Sequence, residues 1–166
     1  MKKFSIQSLT NERLYLQCKI KDVLAEKEEY YAVNAIIDTG ATGSAISVGL
    51  AEKLNLISAG KTYVESAAYN GYVDFYFLNI SVSEFEVEKL CVCAYPNDNI
   101  GFLIGMDLLG QGSFSFKKVK DCYSFVFRIS MGNLLDFNLR NLSIFSRRLH
   151  ELLNCEKKDS ILLNKR

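Results

Sequence analysis

The sequence predicts an all-β domain, barrel-like or sandwich-like, with short helical insertions and an amphipathic helix at the C-terminal end. Three observations carry this reading. Short runs rich in β-branched and aromatic residues alternate apolar and polar positions along most of the chain. Helical spacing before Met131 is confined to short stretches. After Met131 the period changes, and Leu142, Phe145, Leu149, Leu152 and Leu153 recur at helical spacing with Arg147, Arg148, Glu151 and Asn154 between them.

Each element follows from its own pattern. Leu14, Leu16, Cys18 and Ile20 alternate with Tyr15, Gln17 and Lys19, as in a half-buried strand. Tyr30 to Ile37 forms a second strand and delivers Asp38 at its end. Ala45 to Val48 reads as a short strand, and Leu50 to Leu56 as a short helix with Leu50 and Leu54 on one side. Val73, Phe75 and Phe77 alternate, then Leu78, Ile80 and Val82 continue in the opposite phase, which predicts a bulge in a long strand. Val87 to Tyr95, Phe102 to Ile104, Ser113 to Lys117 and Cys122 to Ile129 supply further strands. The chain thus divides into a β body over 1–130 and a helical tail over 131–166, with 156–166 expected to be loosely held. The tail helix either packs back on the body or helps a second protomer to dock.

Composition narrows the function. The 166 residues, 49% apolar and 23% charged, suit one globular domain with a sizeable core. A net charge of +1 gives no electrostatic footprint for nucleic acid or an anionic membrane. Met1-Lys2-Lys3 is followed by a stretch broken by Ser, Gln, Thr, Asn, Glu and Arg rather than an unbroken apolar one, so neither a secretory segment nor a membrane span is expected, and the cytoplasm is the expected location. The five cysteines are an odd number without framework spacing. Cys91 and Cys93 share a strand face, but the single histidine, His150, lies in the tail, so reduced thiols rather than a metal site are expected.

One segment carries chemistry. Asp38-Thr39-Gly40-Ala41 follows the apolar triplet Ala35-Ile36-Ile37, and a carboxylate at the end of a buried strand is costly unless it is used. Further along, Phe102-Leu103-Ile104-Gly105 runs into the helix-like Met106-Asp107-Leu108-Leu109. Together with the hairpin-like pair Gly112 to Phe116 and Tyr123 to Ile129, these segments resemble the retropepsin-like aspartic proteases, particularly bacterial members, from about Glu12 to Ile129. The resemblance implies a closed β-barrel or sandwich monomer in which the Asp-Thr-Gly loop carries the catalytic aspartate and an apolar-apolar-Gly strand crosses beneath it. Gly43 departs from the family pattern, where Asn or Asp is common.

Peptide hydrolysis needs a base to activate water and an acid to protonate the amide, and two carboxyl groups sharing one proton supply both. No second Asp-Thr/Ser-Gly exists in the chain, so an aspartic protease built from it must be a homodimer with one Asp38 per protomer. By resemblance, Asp38, Thr39 and Gly40 are the catalytic segment, with the Thr39 hydroxyl locking the two loops across the dimer axis. Gly40 allows its N–H to approach the carboxylate. Ala41 cannot donate the side-chain hydrogen bond that a Ser would, which predicts a working pH less acidic than that of pepsin-like enzymes. A flap is expected over Thr62 to Phe77, its tip at Tyr69-Asn70-Gly71, because Asn-Gly is a strong turn signal. Ala41, Tyr69, Asn70 and Gly71 are the candidate substrate-binding residues. Asp107 reads as a cap or surface partner of its short helix rather than a catalyst. No metal or organic cofactor is required; the expected partners are a peptide or protein substrate and a second copy.

The main rival is the same fold retained as a non-catalytic binding or dimerisation module, against which the intact Asp38-Thr39-Gly40 argues. A phosphate-cradling loop at Gly40-Ala41-Thr42-Gly43-Ser44 lacks the Gly-Lys-Ser/Thr ending of a P-loop and a long following helix. Nucleic-acid binding fails on charge, since basic residues are interleaved with acids.

Overall fold

The structure is a computed structural model and describes residues 1–8, 13–27, 29–66, 69–96, 99–119 and 122–163. Its strands are β1 (Lys2–Ser8), β2 (Tyr15–Asp22), β3 (Tyr31–Ile37), β4 (Ala45–Ser47), β5 (Lys61–Glu65), β6 (Asn70–Val82), β7 (Phe85–Tyr95), β8 (Phe102–Ile104), β9 (Ser113–Val119) and β10 (Cys122–Ile129). Its helices are α1 (Val48–Lys53), α2 (Met106–Leu109) and α3 (Met131–Leu163).

Six strands close into a barrel in the order β2-β3-β8-β4-β7-β6, and β6 returns to β2 through Lys19↔Ser81 to Asp22↔Leu78. β5 hangs on β6 as a hairpin arm. A separate sheet, β1-β10-β9, lies beside the barrel. The alternation along β2 is a true inside–outside pattern: Leu16, Cys18 and Ile20 are buried and join Val33, Ala35, Leu78, Ile80, Val92 and Phe102 in the main core. Phe125, Phe127 and Ile129 of β10 extend that core.

The phase change in β6 has two physical origins. Phe75 and Phe77 leave the main core for a second cluster with Ala59, Cys91, Cys93 and Phe145 of α3, so both faces of this stretch are covered. The expected bulge is present, but the additional residue belongs to β7. Leu78 pairs with Leu90 and Ile80 with Val87, leaving Glu88 and Lys89 opposite Asn79. Lys89 takes a left-handed φ of 53°, and its N–H is accepted by Asn79 Oδ1 at 2.9 Å.

Other boundaries shift for local reasons. The first helix begins at Val48, not Leu50, because Ser47 caps it by accepting the Leu50 N–H at 3.2 Å. The hairpin β5–β6 does not turn at Asn70-Gly71: these residues open β6 and pair with Glu65 and Val64. The arm is closed one step earlier, by Ser66 N–H donating to the Tyr69 carbonyl at 2.9 Å, and Asn70 Oδ1 also accepts from Ser66 N–H. Ala67 and Ala68, like Glu12, lie outside the described residues.

The tail packs back on the body. α3 buries Leu134, Phe137 and Asn141, and the Phe145 ring meets Phe77 edge-on at 5.0 Å. β4 pairs with β7 only at Cys93–Tyr95, so the stretch of β7 around Glu86–Glu88 has no strand on that side. Two asparagines of α3 take that place: Asn138 Nδ2 donates to the Glu86 carbonyl, Asn138 Oδ1 accepts the Glu88 N–H, and Asn141 Nδ2 donates to the Glu88 carbonyl, at 3.0–3.2 Å. The helix runs through Leu163, and 164–166 lie outside the described residues. No helix among the described residues is long and apolar enough to cross a membrane.

Candidate active site

β3 runs through the barrel wall and releases the chain at Asp38 onto a tight loop. Three backbone hydrogen bonds set the loop's position. Asp38 N–H donates to the Ile104 carbonyl at 3.0 Å, Met106 N–H to the Ala41 carbonyl at 2.8 Å, and Ala41 N–H to the Asp38 carbonyl at 3.4 Å. β8 therefore supports the loop from below, parallel to β3 through Ile37↔Ile104 and antiparallel to β4 through Ala45↔Leu103. The crossing is close at Gly105. A Cβ there would lie 2.5 Å from the Gly43 carbonyl oxygen and 3.0 Å from that of Ala41, so only glycine fits without moving backbone.

The Asp38 carboxylate is half-buried, while Thr39 and Gly40 are exposed. Asp38 Oδ1 accepts the Gly40 N–H at 2.8 Å, which aims the carboxylate over its own turn. Ala41 is half-buried in the same loop, so Asp38, Thr39, Gly40 and Ala41 form one surface feature. Tyr69, Asn70 and Gly71 belong to the β5–β6 arm, where Tyr69 packs against the main core and the Tyr63 and Tyr72 rings meet edge-on at 5.3 Å. Two surface depressions, one bordered by Asp22, Glu26, Tyr31 and Ile57 and the other by Cys18, Asn34 and Ser81, are not lined by Asp38. Among the described residues no cluster of His, Cys, Asp and Glu could hold a metal ion.

A pair that sequence reasoning did not connect completes the support. Asp107 does accept an N–H of its own short helix, as a cap would, but it also reaches the Asp38 loop. Its Oδ2 accepts the Ser44 N–H at 2.8 Å, and its Oδ1 accepts both the Ser44 hydroxyl and its neighbour's Leu108 N–H at 2.8 Å. The Ser44 Oγ accepts the Gly105 N–H at 3.2 Å. Ser44 is 3% exposed, and the far end of the Asp38 loop is thereby bolted to the start of α2. Burial pushes the Asp107 carboxyl above the usual aspartate range, against the pull of the hydrogen bonds from Ser44 and Leu108. No local signal links positions so distant in the chain; only the complementarity of a hydroxyl donor and a carboxylate acceptor hints at it. Gln111 extends the network outward: its Nε2 donates to the Asp107 carbonyl at 2.7 Å, and Arg140 of α3 donates to its Oε1.

The thiols stand apart from this chemistry. Cys18, Cys91 and Cys93 are free, and burial pushes Cys18 and Cys91 to about 12. Thiols so disfavoured as thiolates are poor nucleophiles and poor metal ligands.

A family model described as "gag-polyprotein putative aspartyl protease" matches residues 28–111. Among solved structures, the chain is similar to a retropepsin-like aspartic protease from Rickettsia conorii, at 18% identity and TM-score 0.49, over 78% of this chain and 95% of that one. It is also similar to the EIAV protease complexed with the inhibitor HBY-793, at 18% identity and TM-score 0.44, over 60% and 88% of the two chains. The simian foamy virus (mac) protease matches at 21% identity and TM-score 0.38, over 55% and 87%. No curated protein matches the sequence.

Proposed function

This chain belongs to the gag-polyprotein aspartyl protease family, and from that premise we propose that it is an endopeptidase whose catalytic unit is a homodimer with one Asp38 from each copy. The observation that carries the reading is the presentation of Asp38: a partly exposed carboxylate on a loop braced by Ile104, Gly105 and the Ser44–Asp107 pair. Such bracing is what a reacting group requires, since misplacement of even an ångström weakens catalysis greatly.

In the dimer the two Asp38 carboxyls lie close enough that both cannot ionise together, and they share one proton. The ionised member takes a proton from a water held between them while that water attacks the amide carbonyl carbon. The protonated member hydrogen-bonds the carbonyl oxygen as charge develops on it. Collapse of the tetrahedral intermediate then sends a proton to the leaving nitrogen and restores the shared state. Thr39 and Gly40 hold the loops: Gly40 by its N–H to Asp38 Oδ1, Thr39 by a hydroxyl available at the surface where the copies meet. The β5–β6 arm acts as the flap, and backbone groups near Tyr69, Asn70 and Gly71 bind an extended polypeptide substrate by strand-like pairing.

The test compares wild type with Asp38→Asn on an unbiased peptide library over about pH 4 to 8, a window placed above the pepsin-like dyad values of about 1.5 and 4.7 because a less acidic working pH is expected, reading cuts by mass spectrometry. Cuts that require Asp38 and rise more steeply than linearly with protein concentration are expected. Equal cleavage by Asp38→Asn would refute the assignment. Absence of Asp38-dependent cuts in a dimeric preparation would make the protein a non-catalytic dimerisation module.

A further inference from the structure

The outer face of α3 carries a second apolar stripe that the body does not cover. Leu135, Leu139, Leu142, Leu149 and Leu153 are between 36% and 60% exposed, although leucines on a helix packed on one side are expected to turn inward. Their spacing is four, three, seven and four residues, with Ser146 filling the one interior step of the repeat. This is a heptad seam interrupted once, at Ser146, and distinct from the Leu134–Phe137–Asn141–Phe145 face that packs on the body. It extends for about 27 Å at 1.5 Å per residue.

We propose that this seam is a self-association surface on which α3 of a second copy docks, antiparallel, to form a helix pair that holds the two halves of the catalytic unit together. The inference rests on the half-site reading of Asp38, because a chain carrying half of a dyad has one obligatory partner, itself. Three observations favour a second copy over other occupants. The seam is narrow, with at most two apolar positions in seven, and one of its flanks is the polar row Asp136, Ser143 and His150; that suits a coiled-coil partner, whereas a membrane surface calls for a broad apolar face under a basic one. Antiparallel pairing about a two-fold axis near the middle of the seam sets Leu135 against Leu153 and Leu139 against Leu149 of the other copy. It also brings Asp136 toward the turn carrying Arg147 of the other copy, so a carboxylate and a guanidinium share that flank of the seam at each end of the pair. Finally, α3 is tied to the support of the Asp38 loop: Asn133 Nδ2 donates to the Gln111 carbonyl at 3.1 Å, Arg140 donates to Gln111 Oε1, and Gln111 Nε2 reaches the Asp107 carbonyl. Ordering α3 by pairing therefore acts on the same element that positions Asp38.

The test is sedimentation equilibrium of the full chain as wild type and as the double variant Leu139→Glu/Leu142→Glu, with Asp38-dependent peptide cleavage measured across the same concentrations. Both side chains are exposed, so an unchanged circular dichroism spectrum is expected; Leu139→Ser/Leu142→Ser serves as a milder variant if the first misfolds. The expected result is a dissociation constant raised at least tenfold, with cleavage lost at low protein concentration and recovered at high concentration. A variant that dimerises and cleaves like wild type would overturn the seam while leaving the Asp38 half-site intact. A wild type that cleaves while monomeric at every concentration would overturn both. Loss of binding to anionic phospholipid vesicles in the variant, with self-association unchanged, would make the stripe a membrane-facing surface and overturn the proposal.

Discussion

Replacing Ser44 by Ala removes one oxygen from a site that is 3% exposed, and the cost can be worked from its two partners. The hydroxyl donates to the Asp107 carboxylate at 2.8 Å and accepts the Gly105 N–H at 3.2 Å. A hydrogen bond to a charged acceptor contributes about 1.5–3 kcal/mol, and leaving a buried N–H unpaired costs about 1–3 kcal/mol. The two bonds share one loop and do not add fully, so a loss of about 2–4 kcal/mol is expected at neutral pH. With a urea slope of about 2 kcal/mol per molar, the middle of the range for small proteins, the unfolding midpoint should fall by about 1–2 M. The pH dependence follows from Asp107. Burial already holds its folded-state titration above the unfolded value, and losing a donor raises it further. An acid with a raised folded pKa has its full stability below the unfolded pKa and loses stability as pH climbs through the folded one. The variant therefore loses more than wild type on going to neutral pH, and the gap between them should narrow at about pH 3.5, below the reference aspartate value of about 3.9. Urea melts at matched protein concentration and both pH values decide it. A penalty under about 0.5 kcal/mol at pH 7, the size of an ordinary surface substitution, would refute the reasoning. So would an equal penalty at the two pH values.

Gly105→Ala should be costlier for function than for bulk fold. Its Cβ meets backbone oxygens at 2.5 and 3.0 Å, so the Asp38 loop must shift at a cost of about 1–3 kcal/mol, and near-normal peptidase activity with an unchanged melting temperature would count against the close crossing. The Cys91 thiol, pushed by burial to about 12, should resist a disulfide exchange reagent at about pH 8 until denaturant is added, given an ordinary cysteine value of about 8.5; rapid labelling mapped to Cys91 in the native protein would contradict that environment.

Much of this architecture is legible in the chain because its causes are local. The alternations of β2 and β10 survive as buried rows, the Asp38 turn follows its apolar strand, and Gly105 marks a close approach. The parts that were not legible depend on partners far away in sequence. β1 is Lys, Ser or Gln at five of its seven positions and becomes a strand through seven pairings with β10, Lys2↔Ile129 to Ser8↔Tyr123. Barrel and sandwich could not be separated from pattern alone, because the choice turns on four β2–β6 pairings that close the ring. Asn-Gly suggested a turn, yet Asn70 serves better by capping the Ser66 N–H from the first position of β6. The tie between Ser44 and Asp107 is of the same kind, a contact between loops that no periodicity announces.

The asparagine contacts of α3 have a consequence for life at high concentration. A bare run of main-chain donors and acceptors on a strand flank is a template on which another molecule's strand can be laid, and repeated addition makes fibres. In this molecule the Glu86–Glu88 flank is occupied by side-chain amides of Asn138 and Asn141, which cannot propagate the ladder. The helix thus works as a chain terminator for β-polymerisation. A protein of this design can pair with its own kind through a helix while remaining closed, at that flank, to open-ended stacking.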